Sequence, residues 1–136
     1  MNKYLKRFYS DIFLLYSFGS TMMFVLMDLL PHFLRNIFFK ALLGRMGKKV
    51  MIDYKVYMRY LKNIELGNRV AINRGCQFYT SAHLGKKIIL GNNVIVSPNV
   101  RFYGAGHDYE FVELPDIAED IIVEDGCWIC ADTTIL

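Results

Sequence analysis

His107 is the residue on which a chemical argument can be built. It stands where a long regular pattern of apolar residues breaks off and an acidic stretch containing Pro115 begins. An imidazole is largely neutral at cellular pH and able to take a proton from a hydroxyl. Side chains at the base of a loop on a rigid scaffold are well placed for such work. His83 lies inside the regular pattern with no loop after it, which reads as a surface or corner residue. Cys127-Trp128-Ile129-Cys130 has the spacing of a redox pair, but that pair is expected at a helix start beside a βαβ unit. Here it falls in a repeating strand pattern. The three cysteines form no disulfide framework. Cys76 and Cys127 take small inward positions, so packing is their expected role, and free buried thiols fit a reducing cytosol. No phosphate-cradling glycine loop, dinucleotide fingerprint or Ser-His-Asp order occurs.

The element that must position His107 repeats every six residues. Leu66, Ile72, Phe78, Leu84, Leu90, Val96 and Phe102 form one apolar series. Val70, Cys76, Ala82, Ile88, Val94, Val100 and Gly106 follow them by four. A helix repeats near 3.6 and a plain strand alternates by two, so neither sustains a six. A chain that turns a corner every six residues does. Three flat segments make a coil, and coils stack at a strand spacing of roughly 4.8 Å, giving a solenoid. Gly67, Gly75 and Gly91, with Asn92-Asn93 and Pro98-Asn99, suit the bends. Counted back from Leu66, Tyr54, Met58, Tyr60 and Ile64 keep the phase, while Lys55, Arg59 and Lys62 interrupt it, so an irregular first coil is expected from Val50. The phase breaks after Phe102 and resumes at Val123, Ile129 and Ile135, with an excursion over 107–120.

The N-terminal third has a different composition. Ile12 to Leu30 is almost continuously apolar and borderline for the about 20 residues that span a bilayer. Asp28 weakens a spanning reading, both flanks are positive, and no small-x-small cleavage site follows. After Pro31, Leu34, Ile37, Phe38, Ala41 and Leu42 form a helical apolar face, with Arg35, Asn36 and Lys40 off it and Gly44 as a C-cap. The net charge is +3, and eight of the sixteen basic residues but two of the thirteen acidic ones lie in residues 1–50. A basic, apolar head on an acidic body points to a membrane surface and away from nucleic acid. Two segments are expected: 1–49, helical, and 50–136, repetitive. Residues 1–45 are expected to lie on a membrane, to cap the open end of the solenoid, or to do both.

Leu66-Gly67-Asn68-Arg69-Val70 and Leu90-Gly91-Asn92-Asn93-Val94-Ile95-Val96-Ser97-Pro98-Asn99-Val100 resemble the hexapeptide-repeat acyltransferases. Gly106-His107-Asp108-Tyr109, the polar loop and Asp125-Gly126-Cys127-Trp128-Ile129 resemble their sugar O-acetyltransferase branch, which includes colanic acid and maltose acetyltransferase-like enzymes. The resemblance covers about Val50 to Leu136. It implies a mainly β chain, a left-handed parallel β-helix with an N-terminal α-helical segment. It implies acetyl transfer from acetyl-CoA to a hydroxyl of a surface polysaccharide or lipid-linked glycan, with His107 as general base and no metal. Substrate contacts are implied at Asn73, Ser81 and Tyr109, where Ser81 replaces a common acidic ligand. Coenzyme contacts are implied at Trp128 and Ala131. Glu124 and Cys130 stand where glycines are common. The family assembles as a homotrimer with its sites between neighbouring solenoids, and the implied location is the cytoplasm, peripheral on the inner membrane's cytoplasmic face. The family pattern runs on past the position of Leu136 into coils that build much of the coenzyme groove. A C-terminally shortened enzyme is therefore expected, with a catalytically inactive fragment or scaffold as the alternative. A γ-type carbonic anhydrase shares the fold but binds zinc through three histidines; His83 and His107 alone in the repeats argue against it.

Overall fold

A computed structural model describes residues 3–136; Met1 and Asn2, and the side chains of Lys3, Tyr4 and Lys6 in the basic start, lie outside the described residues. Among the described residues two helices come first, α1 (Lys3–Asp28) and α2 (His32–Leu42). The first coil is β1 (Arg45–Met46), β2 (Met51–Ile52) and β3 (Tyr57–Met58). The second is β4 (Ile64–Leu66), β5 (Ala71–Ile72) and β6 (Gln77–Tyr79), and the third is β7 (Ile88–Leu90), β8 (Ile95–Val96) and β9 (Arg101–Tyr103). A hairpin, β10 (Ala105–His107) and β11 (Asp116–Ala118), precedes the fourth coil, β12 (Ile121–Val123), β13 (Trp128–Ile129) and β14 (Thr134–Ile135). Strands pair in parallel from coil to coil, giving three flat faces: β1-β4-β7-β12, β2-β5-β8-β13 and β3-β6-β9-β14. The fold is the left-handed parallel β-helix that the hexads require.

Each face sends a column inward. Met46, Leu66, Leu90 and Val123 stack on the first face. Ile52, Ile72, Val96 and Ile129 stack on the second. Met58, Phe78, Phe102 and Ile135 stack on the third, with the two phenylalanine rings parallel at 4.6 Å. Burying one such side chain contributes about 1.5–3 kcal/mol. Corners are fixed by polar ladders: the Asn68 N–H donates to Asn92 Oδ1 (2.9 Å) and the Asn92 N–H to Asp125 Oδ1 (2.7 Å). The Asn92 side-chain amide, then its backbone N–H, hold the Asp125 carboxyl below the usual carboxylate range. At the same corner a Cβ on Gly67 would lie 2.5 Å from the Gly91 carbonyl oxygen, so only glycine lets the coils approach.

Five expectations are corrected. The solenoid begins at Arg45, before residue 50, because β1 already pairs with β4. Tyr54 and Tyr60 do not point into the core. Met46, Ile52 and Met58 do, and the 3-10 turn Leu61–Asn63 shifts the phase before Leu66. Leu84 lies in a corner loop, with Ala82 exposed beside it. The step from coil to coil is 20, then 24, then 33 residues. Since 24 is a multiple of six, that loop leaves the hexad phase intact and is silent in the sequence.

The fourth correction is the face of α2. Arg35 is fully buried, while Ile37, Phe38 and Ala41 face outward. Phe39 and Leu43 close the end of the core, and Phe24 and Met27 of α1 join them. The cause is the open end of the first coil, whose carbonyls need donors that an apolar side chain lacks. Arg35 Nη1 donates to Ile52 O and Nη2 to Asp53 O, each at 3.1 Å. Nη2 also pairs with Asp28 at 3.1 Å, and the guanidinium lies 4.3 Å from the centre of the Tyr54 ring. Gly44 is no left-handed cap: Leu43 ends α2 in extended backbone, and the Gly44 N–H donates to Leu61 O and Ile64 O.

Candidate active site

The corner between the third and first faces is elaborated in three successive coils. It is the turn Arg59–Asn63 after β3, the loop Thr80–Lys87 after β6, and the hairpin after β9. Stacked one above another, these passages enclose a cavity of about 330 Å³. Arg59 and Tyr60 line it from the first passage, Thr80 to His83 from the second, and Ala105 to His107 with Asp116 and Ile117 from the third. Phe13 of α1 completes the wall.

His107 ends β10 and pairs in register with Asp116 at the start of β11. Its Nδ1 lies 3.0 Å from Leu114 O and 3.1 Å from Asp116 Oδ1. A carbonyl and a carboxylate only accept, so these partners assign the proton to Nδ1. Nε2 is then the nitrogen free to take a proton. Asp116 also faces His83, whose Nε2 is 3.6 Å from Asp116 Oδ2, beyond hydrogen-bond length. His83 Nδ1 is 3.4 Å from Ser81 Oγ. One carboxylate thus lies between two imidazoles from different coils. Lys86 Nζ donates to Glu119 Oε2 at 2.9 Å and ties the loop to the hairpin's base.

The floor is aromatic. The Tyr60 ring stacks on Tyr16 at 4.9 Å, and the Tyr60 N–H donates to Tyr16 Oη at 3.2 Å. Burial, with Tyr16 next, pushes the Tyr60 phenol above its ordinary value. Burial does the same to Tyr79. The Arg59 guanidinium lies 5.3 Å from the centre of the Phe13 ring and 5.1 Å from that of Tyr79.

Of the residues singled out in the sequence, His107 and Ser81 meet at this cavity. Tyr109 is 87% exposed in the hairpin loop and does not line it. Asn73 sits at the corner between β5 and β6, where its Nδ2 donates to Val96 O at 2.8 Å. Trp128, 71% exposed on β13, donates from Nε1 to Ser97 Oγ at 2.9 Å, and Ala131 follows it in an exposed turn. Neither lines the cavity. Sequence reasoning missed Asp116, Arg59 and the role of His83. The polar run from His83 through Gly85-Lys86-Lys87 was the available sign of a loop. Cys76 is buried as read, while Cys127 is partly covered and Cys130 exposed. Among the described residues no group of three His, Cys, Asp or Glu side chains is arranged to hold a metal.

No family model matches the sequence, and no curated protein matches it. Two solved structures match in three dimensions. One is a hexapeptide-repeat-containing acetyltransferase from Vibrio cholerae, with a TM-score of 0.74 at 23% identity over 85% of this chain and 66% of that one. This chain shares its fold. The other, from Vibrio cholerae O1 biovar eltor, is complexed with acetyl coenzyme A; the TM-score is 0.65 at 19% identity over 85% of this chain and 69% of that one.

Proposed function

We propose that this chain is an acyltransferase that moves an acetyl group from acetyl-CoA to a saccharide hydroxyl, with His107 as general base. The observation that carries the reading is the fixed tautomer of His107, proton on Nδ1 and Nε2 free, on a hairpin beside a cavity. In the reaction Nε2 takes the acceptor's hydroxyl proton as the oxygen bonds to the thioester carbonyl carbon. The tetrahedral oxyanion then collapses, the C–S bond breaks, and the leaving thiolate takes the proton back from His107. Asp116 stabilises the imidazolium through Nδ1 meanwhile. The acetyl-CoA in one Vibrio cholerae structure of this fold supports the choice of donor.

The cavity is at the small end of the roughly 300–1,000 Å³ of ligand pockets, so it takes the reacting ends and not a whole coenzyme. Asn73, Tyr109, Trp128 and Ala131 lie outside it. We therefore carry them as acceptor and coenzyme contacts only across subunits of a homotrimer. The exposed apolar hairpin tip, Tyr109, Phe111 and Val112, supports a neighbouring subunit there. The test is thiol release from acetyl-CoA with a panel of polysaccharides and lipid-linked glycans, in wild type and His107→Ala. Acceptor-dependent release that the variant loses is expected. Near-normal turnover in the variant removes the mechanism.

The helical head supports attachment to the cytoplasmic face of a membrane through residues 1–45. Arg7–Asp28 is long and apolar enough to cross a bilayer, and Leu15, Phe18, Leu26, Phe33 and Ile37 are exposed. Ser20, Phe24 and Met27 are buried and Asp28 is fastened to Arg35, which favours a helix lying on the surface over one that spans. Co-sedimentation of the intact protein with anionic vesicles is expected; a protein that stays in the supernatant leaves the head as a cap alone.

A further inference from the structure

Arg59 is the one lining residue with a permanent positive charge, and the mechanism above does not use it. Among the described residues no carboxylate lies within ion-pair distance of its guanidinium. What holds it is aromatic: Phe13 from α1 and Tyr79 from β6, both within the roughly 6 Å at which a cation meets a ring. A guanidinium held by aromatic rings, with no side-chain hydrogen bond or ion pair to the described residues, keeps its N–H groups for a partner, and its fork fits a carboxylate or phosphate in two parallel hydrogen bonds. The other charge in the cavity does not compete. Asp116 is engaged by His107 and faces His83, and is not paired with Arg59. The backbone behind Arg59 is fixed as well, since its N–H donates to Phe78 O at 2.8 Å and its carbonyl accepts from Thr80 Oγ1 at 2.8 Å.

We infer that Arg59 selects an anionic acceptor: a saccharide bearing a carboxylate or a phosphate, seated with its anion on the guanidinium edge and a hydroxyl at His107. The inference rests on the acyl-transfer reading for its location and deepens it by naming the acceptor's charge. A site built to pair with a charged group discriminates strongly against an analogue without it, because the site's own charge is left unpartnered.

The experiment measures initial rates with acetyl-CoA and three acceptors, glucose, glucuronate and glucose 1-phosphate, for wild type, Arg59→Gln and Arg59→Lys. Direct binding of the three sugars is followed in parallel by calorimetry, which needs no turnover. Wild type is expected to prefer an anionic sugar over glucose. Arg59→Gln should raise KM for that sugar by about 10- to 100-fold with little change for glucose, and Arg59→Lys should recover part of the loss. Preference for glucuronate or for glucose 1-phosphate separates the carboxylate from the phosphate source. A rise in KM for acetyl-CoA alone would overturn the inference, placing the coenzyme's phosphates on Arg59. So would equal loss with charged and neutral sugars. Arg59-dependent binding of the anionic sugars without any acetyl transfer would sink the proposed reaction and leave the anion site standing.

Discussion

Two excursions leave the solenoid at the same corner, one coil apart, and are built differently. The hairpin after β9 pairs with itself: Ala105 faces Ala118, Gly106 faces Ile117 and His107 faces Asp116 in an antiparallel ladder. The loop after β6 has no such ladder. It is tied down through side chains and single bonds to its neighbours, Asn63 Nδ2 to Ser81 O (2.7 Å), Lys86 to Glu119, and the Lys87 N–H to Asp120 Oδ1 (2.7 Å). His107 therefore inherits its aim from main-chain geometry, whereas His83 inherits its own from contacts that one rotamer change undoes. Two imidazoles facing one carboxylate are therefore held differently, the one on the ladder by main-chain pairing and the one on the loop by side-chain contacts.

The comparison breaks most directly on the two histidines. His107→Ala should cost at least about 10²-fold in turnover, the ordinary worth of a general base. His83→Ala should cost less than tenfold. Equal losses in steady-state rates would show that the distinction between loop and ladder does not set the roles. Asp116→Asn comes next. It removes the charge facing both rings and loosens the His107 tautomer, and a base displaced by about 1 Å loses up to about 10²-fold. The expected loss lies between those of the two histidine variants and should fall on kcat more than on acetyl-CoA affinity.

The third test removes the loop. Deleting residues 82–87 returns the second step to the length of three hexads. Since loop length enters stability only logarithmically, thermal unfolding should change by less than about 1 kcal/mol and stay cooperative. Collapse of the β signature in circular dichroism would mean that the loop is part of the scaffold. The smallest effect is expected at the floor beneath both excursions. The Tyr60 phenol is pushed above its ordinary value of 10.0 by burial, so the folded state holds that proton more tightly than the unfolded chain. Its contribution is complete below that value and is lost as pH rises through the folded one. The melting temperature should begin to fall above about pH 10, and Tyr60→Phe should flatten that limb. An unchanged alkaline limb in the variant would remove Tyr60 from the account.

The same pair of excursions explains what the sequence discloses. The hairpin's length is not a multiple of six, so it throws the apolar series out of phase after Phe102, and His107 at its base is conspicuous. The loop at Thr80–Lys87 adds one hexad, Leu84 lands on the expected beat, and His83 reads as an ordinary surface or corner residue. Arg59 and Asp116 are invisible for another reason: each reaches the cavity only because corners of different coils are stacked, and no local spacing records that. The face of α2 was misread because periodicity ranks side chains by hydropathy, while the end of a solenoid needs hydrogen-bond donors, which Arg35 supplies and Ile37 cannot. The fold class was legible because the columns Leu66–Leu90 and Ile72–Val96 are written in the hexads themselves.

Arg35 has a consequence for assembly. The bare end of a β-solenoid is a row of unpaired main-chain groups on which a second molecule can add its own rung, and repeated addition makes a fibre. Here Ile52 O and Asp53 O already accept from a buried guanidinium, and α2 lies across the rest. The barrier is not free, since Arg35 Nε is buried without a partner. Arg35, neutralised by Asp28, thus joins α2 in standing between the first coil and head-on polymerisation.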